Sequence, residues 1–99
     1  GWDDEAAFEE EAVNTTHMTA GPNPFNPETR ISFTLPDAGR VFLAIYDING
    51  REIIRLMDGQ YPSGTYERPW HSGDNPSGVY FAVMQYNGSR ETLKLLLIK

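Results

Sequence analysis

Gly21-Pro22-Asn23-Pro24-Phe25-Asn26-Pro27, followed closely by Arg30-Ile31-Ser32-Phe33-Thr34-Leu35, is the stretch on which the fold turns. Each proline holds φ near ~−65° and removes a backbone donor, so this run is neither a helix nor the middle of a sheet. Residues before a proline are pushed toward extended backbone as well. Directly afterwards Ile31, Phe33 and Leu35 alternate with Arg30, Ser32 and Thr34, the period of a half-buried strand. The pair reads as a stiff lead-in to an all-β domain, with Phe25 as an apolar plug among turn residues.

The same grammar continues to the last residue. His17 to Ala20 is the expected first strand, and Pro36-Asp37-Ala38-Gly39 is a turn. Residues 40–47 are apolar on both faces, as a central strand requires, and Asp47-Ile48-Asn49-Gly50 provides a hairpin turn in which Asn and Gly tolerate φ > 0. Residues 52–57 form the return strand; Ile53, Ile54, Leu56 and Met57 break strict alternation, which predicts a bulge. Asp58-Gly59 and Pro62-Ser63-Gly64 bracket a loop, and Pro69 puts the strand over 65–71 at a sheet edge. Strands over 79–86 and 90–98 flank Asn87-Gly88. The last is apolar on both faces, so it is expected between neighbours or awaiting a partner. These features together predict an immunoglobulin-like β-sandwich of about seven antiparallel strands.

Composition narrows the function. A chain of 99 residues is read as one folded domain, here residues 17–99, which buries roughly 60–65% of its unfolded surface and has no room for a large enclosed active site. There is no cysteine, hence no disulfide and no thiolate metal site. No apolar run approaches the ~18 residues of a membrane-spanning helix. Gly1 stands without an initiator methionine or a signal-peptide pattern, as in a piece of a longer protein. The formal charge of −6 is uneven: six of the fourteen acids fall in residues 3–11, and from Ala12 onward eight acids face eight bases. Residues 1–16 are read as an acidic linker or the tail of a preceding domain. A neutral body without a basic patch argues against nucleic acid as a partner. The acidic tail disfavours anionic membranes and direct membrane insertion.

Five pieces then fall in a telling order: PNPFNPETRISFTL (22–35), GRVFLAIYDINGREI (39–53), DGQYPSGTY (58–66), SGVYFAV (77–83) and TLKLLLIK (92–99). Together they resemble the type IX secretion C-terminal sorting domains of bacteria and their relatives, the Ig-like domains of flagellar hook-capping proteins. The landmarks are Pro22, Asn23, Pro24, Phe25, Asn26, Pro27, Tyr46, Asp47, Gly50, Arg51, Gly64, Tyr66, Trp70, Ser77, Gly78 and Tyr80. The short loop between Trp70 and Gly78 is similar to sorting tails rather than to hook-capping relatives, which tend to carry an insertion there. His71-Ser72 replace the acidic residue and glycine common in the relatives, so no ligand role is carried onto Trp70. The resemblance implies a non-catalytic module that directs a cargo, N-terminal in the same chain, through the periplasm and an outer-membrane secretion machinery to the medium or the cell surface, often with cleavage. The end of the chain, Lys94-Leu95-Leu96-Leu97-Ile98-Lys99, is then the candidate recognition signal, and strand addition along its edge is one mode of reading it.

Rival readings have definite residues. His17 and His71 are the only histidines, and His71-Ser72 with Asp74 is too tight a cluster on one strand end to align nucleophile, base and orienter. No cofactor is expected. Asp47 with Asn49, and Asp74 with Asn75, offer oxygen ligands of the kind structural calcium uses, though Asp and Asn in turns ordinarily bond their own backbone. Tyr61, Tyr66, Trp70 and Tyr86 would be the stacking platform of a carbohydrate-binding module, or simply core. A structural spacer in an extracellular or flagellar protein is the remaining alternative.

Overall fold

Alternation along the chain becomes a two-layer core in the computed structural model, which describes residues 17–99; the acidic linker or tail expected over 1–16 lies outside the described residues. The strands are β1 (Thr19–Gly21), β2 (Glu28–Leu35), β3 (Gly39–Asp47), β4 (Glu52–Tyr61), β5 (Gly64–His71), β6 (Gly78–Tyr86) and β7 (Ser89–Leu97). They form a three-stranded sheet, β1-β2-β5, and a four-stranded sheet, β4-β3-β6-β7, with antiparallel pairing throughout. Ile31, Phe33, Leu35 and Trp70 of the first sheet meet Val41, Leu43, Ile45, Met57, Tyr80, Ala82, Met84, Tyr86, Leu95 and Leu97 of the second, all buried. Each large apolar side chain so buried contributes ~1.5–3 kcal/mol, and this common core holds the layers together.

β3 is central, as its two apolar faces require, and β5 with Pro69 is at an edge. The irregular spacing on β4 becomes two register shifts against β3, opposite Leu43/Ala44 and Ile45/Tyr46. Two expectations need correction. Asp58-Gly59 is no loop: Asp58 and Gly59 pair with Phe42 and Val41, so β4 runs on to Tyr61, because a regular neighbour outweighs local turn preference. In the first hairpin Gly50 has φ 84° but Asn49 is not in the left-handed region; the Gly50 amide bonds the Asp47 carbonyl at 3.0 Å, and the two-residue geometry with both φ positive occurs at Asn87 and Gly88 instead. The last strand was expected between neighbours or awaiting a partner, and β7 does not lie between two strands. It is the edge of the four-stranded sheet, and its outer side is met by residues 22–27.

Candidate functional site

β7 pairs with β6 without a shift from Ser89 to Leu97, so its side chains alternate cleanly. Leu95 and Leu97 are 0% and 1% exposed, whereas Leu96 and Ile98 are 37% and 50% exposed and Lys94 also stands in solvent. The six residues singled out in sequence therefore divide: two leucines belong to the core and the others face outward. Lys99 is tethered, its amide donating to Ser77 Oγ at 3.0 Å and its Nζ donating to the Gly73 carbonyl at 2.9 Å. The landmark Ser77 thus holds the end of the chain.

Residues 22–27 run alongside β7 as a strap. Asn23 substitutes its side-chain amide for a peptide group: Oδ1 accepts the Leu96 amide and Nδ2 donates to the Lys94 carbonyl, both at 3.0 Å. Two residues on, Phe25 uses its backbone, donating to the Leu96 carbonyl and accepting the Ile98 amide, again at 3.0 Å. The Phe25 ring is buried against Trp70 at 5.3 Å, and Trp70 packs edge-on to Tyr80 at 5.2 Å. Thr29 Oγ1 donates to the Pro22 carbonyl at 2.6 Å and the Ser72 amide to that of Pro27 at 2.8 Å, which fixes both ends. Strand addition was expected on an open edge; from Lys94 to Ile98 that edge is already occupied, by a segment whose prolines carry no donors of their own.

The other landmarks are structural. Pro-Ser-Gly-x-Tyr occurs twice, at 62–66 and 76–80, a repeat that the period-2 reading passed over. In each copy the tyrosine hydroxyl donates back to the proline carbonyl at 2.6 Å, and the glycine (Gly64 φ 145°, Gly78 φ 152°) takes a backbone conformation closed to other residues. Burial, with the Asp47 charge, pushes the Tyr80 phenol above its ordinary 10.0. Asp47 Oδ1 accepts the Asn49 and Arg51 amides at 2.9 Å, while Oδ2 accepts Arg51 Nε at 3.2 Å. The Arg51 amide is the main cause of its lowered pKa. Tyr46 is half-buried on the outer face of the four-stranded sheet, paired with Phe81.

Rival chemistries find little geometry. His71 Nδ1 accepts the Gly73 amide at 3.2 Å, and the buried Ser72 Oγ has no partner among the described residues, so the two form no nucleophile and base pair. The Asp47 carboxylate is taken up by its own turn, and the Asn75 side chain donates to the Ser72 carbonyl at 2.7 Å. Among the described residues no three His, Cys, Asp or Glu side chains come together as metal ligands. Trp70 and Tyr86 are buried, and Tyr61 and Tyr66 are half-buried and pack on each other at 5.7 Å, so the four rings do not form a flat exposed platform. Among the described residues no helix is long and apolar enough to cross a membrane.

A family model described as a secretion system C-terminal sorting domain matches residues 19–99, from the first residue of β1 through the strap to Lys99. The chain belongs to that family. As a C-terminal sorting domain it carries a signal for type IX secretion, acts with that machinery, and marks a protein for export across the envelope to a secreted or cell-surface location. Among curated protein sequences none matches the sorting domain significantly.

Proposed function

We propose that this sorting domain is a non-catalytic export and surface-attachment tag for a cargo fused before it, and that the outer-membrane machinery reads the outward side of its last residues. Lys94, Leu96, Ile98 and Lys99 are the contact residues in this reading; Leu95 and Leu97 build the platform that displays them. The observation behind it is the split along one leucine-rich run, with Leu96, 37% exposed, between Leu95 and Leu97 at 0% and 1%, and Ile98, 50% exposed, just past the strand. Leaving such side chains in water gains nothing for the fold, whereas an exposed apolar pair flanked by two lysines suits a protein partner.

The test is a reporter fused to residues 17–99 in a type IX-competent host. Leu96→Ser with Ile98→Ser is expected to leave the circular dichroism spectrum and unfolding midpoint near those of the native domain while export falls to the level of a fusion lacking residues 90–99. Leu95→Ala instead costs ~2–5 kcal/mol of stability and loses export together with the fold. Full export of the folded double variant sinks the assignment of the contact residues. Full export without residues 90–99 sinks the signal itself.

A further inference from the structure

The exposed ends of the two sheets are protected by four different means, and one of them is unusual. β1 is only three residues long. β5 carries Pro69, and β4 is broken by two register shifts and carries Glu52, Arg55 and Asp58 in ion pairs. β7 has neither a proline nor a register shift: it is nine residues long and regular, and although Arg90, Glu91 and Lys94 lie along it, its end is a run of three leucines. A long, regular edge strand with an apolar end is prone to pair with another chain. Residues 22–27 lie on that edge and satisfy Lys94 C=O, Leu96 N–H, Leu96 C=O and Ile98 N–H.

The pattern within the strap matters more than its presence. The groups facing β7 come from Asn23 and Phe25, while Pro22, Pro24 and Pro27 have no N–H to offer a further strand, which leaves Asn26 as the one other backbone donor between Asn23 and Pro27. An ordinary strand laid on β7 would only move the open edge outward by one position. This one ends the sheet.

We propose that the strap is a built-in guard that keeps β7 from pairing edge to edge with β7 of a second copy of this chain. A second copy is the occupant that fits without new chemistry. Two β7 strands running antiparallel about Leu96 present one another with the same alternation of N–H and C=O, and they bring the exposed Leu96 and Ile98 of both copies to one face. The guard adds to the sorting role and does not rest on which residues the machinery reads.

The full chain carrying Asn23→Ala tests this. Asn23 is exposed, and its side chain makes two of the four edge bonds, so the substitution frees the Lys94 carbonyl and the Leu96 amide and loosens the strap without touching the core, while the Phe25 backbone bonds remain. Hydrogen exchange at the Leu96 amide should accelerate about tenfold or more, as for a local opening, while the Leu95 and Leu97 amides, which face β6, keep their rates. Analytical ultracentrifugation should show association that rises with concentration, against a monomeric native chain. Adding Leu96→Pro to Asn23→Ala should abolish the association, since the amide it removes faces outward and a proline there cannot support pairing. A monomeric Asn23→Ala variant overturns the proposal. So does a dimeric native chain, an unchanged Leu96 exchange rate, or association that survives Leu96→Pro.

Discussion

Tyr80 does two things with one hydroxyl group. Its ring closes the core against Trp70, and its oxygen reaches back four residues to the Pro76 carbonyl, fixing the loop that also receives Lys99. Tyr80→Phe keeps the ring and removes the bond, for an expected loss of ~1–2 kcal/mol by urea unfolding. The pH dependence follows from the direction of the shift. A phenol raised above 10.0 in the folded state favours folding below pH 10, and that contribution is lost as pH climbs through the folded value. Stability of the native domain should therefore fall above pH 10 more steeply than that of Tyr80→Phe, and parallel curves would refute the linkage. Both Pro-Ser-Gly-x-Tyr corners stand openly in the sequence. Period-2 reasoning sorts side chains by sheet face, and it has no means of seeing one that bends back along its own chain.

Strands were legible where alternation was clean, as in β2 and β5, and β3 and β6 were legible as short runs apolar on both faces. β4 was legible in its bulges and not in its length, because Asp58 and Gly59 are turn formers locally and become strand only through Phe42 and Val41. The strap was half legible. Its prolines excluded a helix or a central strand and Phe25 was read as a plug, but an asparagine side chain standing in for a peptide group leaves no periodic trace. The strap's hold rests on Phe25, buried at 2% exposure between Trp70 and the end of β7. Phe25→Ala is expected to cost ~3–5 kcal/mol, a large part of the total for a domain of this size, visible as a collapse of the thermal midpoint. A shift of only a few degrees would mean that the prolines alone hold the strap in place. The split of the last strand was not legible either, since Leu93, Leu95, Leu96, Leu97 and Ile98 are alike in hydropathy and only pairing with β6 decides which face inward.

Across the whole molecule, charge is decoration and packing is structure. Arg30 with Glu67, Arg40 with Asp58, Arg51 with Asp47, and Arg55 with both Glu52 and Asp58 all lie at the surface, and from Ala12 onward the chain is neutral. Exposed pairs contribute ~0–1 kcal/mol and are screened by salt. Raising sodium chloride from low concentration to ~1 M, where screening acts within ~3 Å, should change the urea-unfolding free energy by less than ~1 kcal/mol. A larger loss would mean that the ion pairs carry the fold.

The strap has one more consequence, and it is mechanical. Phe25 and Leu97 are bridged in parallel, so the strap and β7 run the same way along one line. A pull between the Met18 side of the chain and Lys99 drags them in opposite directions along that line. The bonds of Asn23 and Phe25 to β7 then bear the load together, in shear, and do not open one after another like a zipper. Resistance to such a pull is set by the barrier to rupture rather than by equilibrium stability. A tag hauled by its two ends is, by this construction, clasped at the point where the tension is greatest.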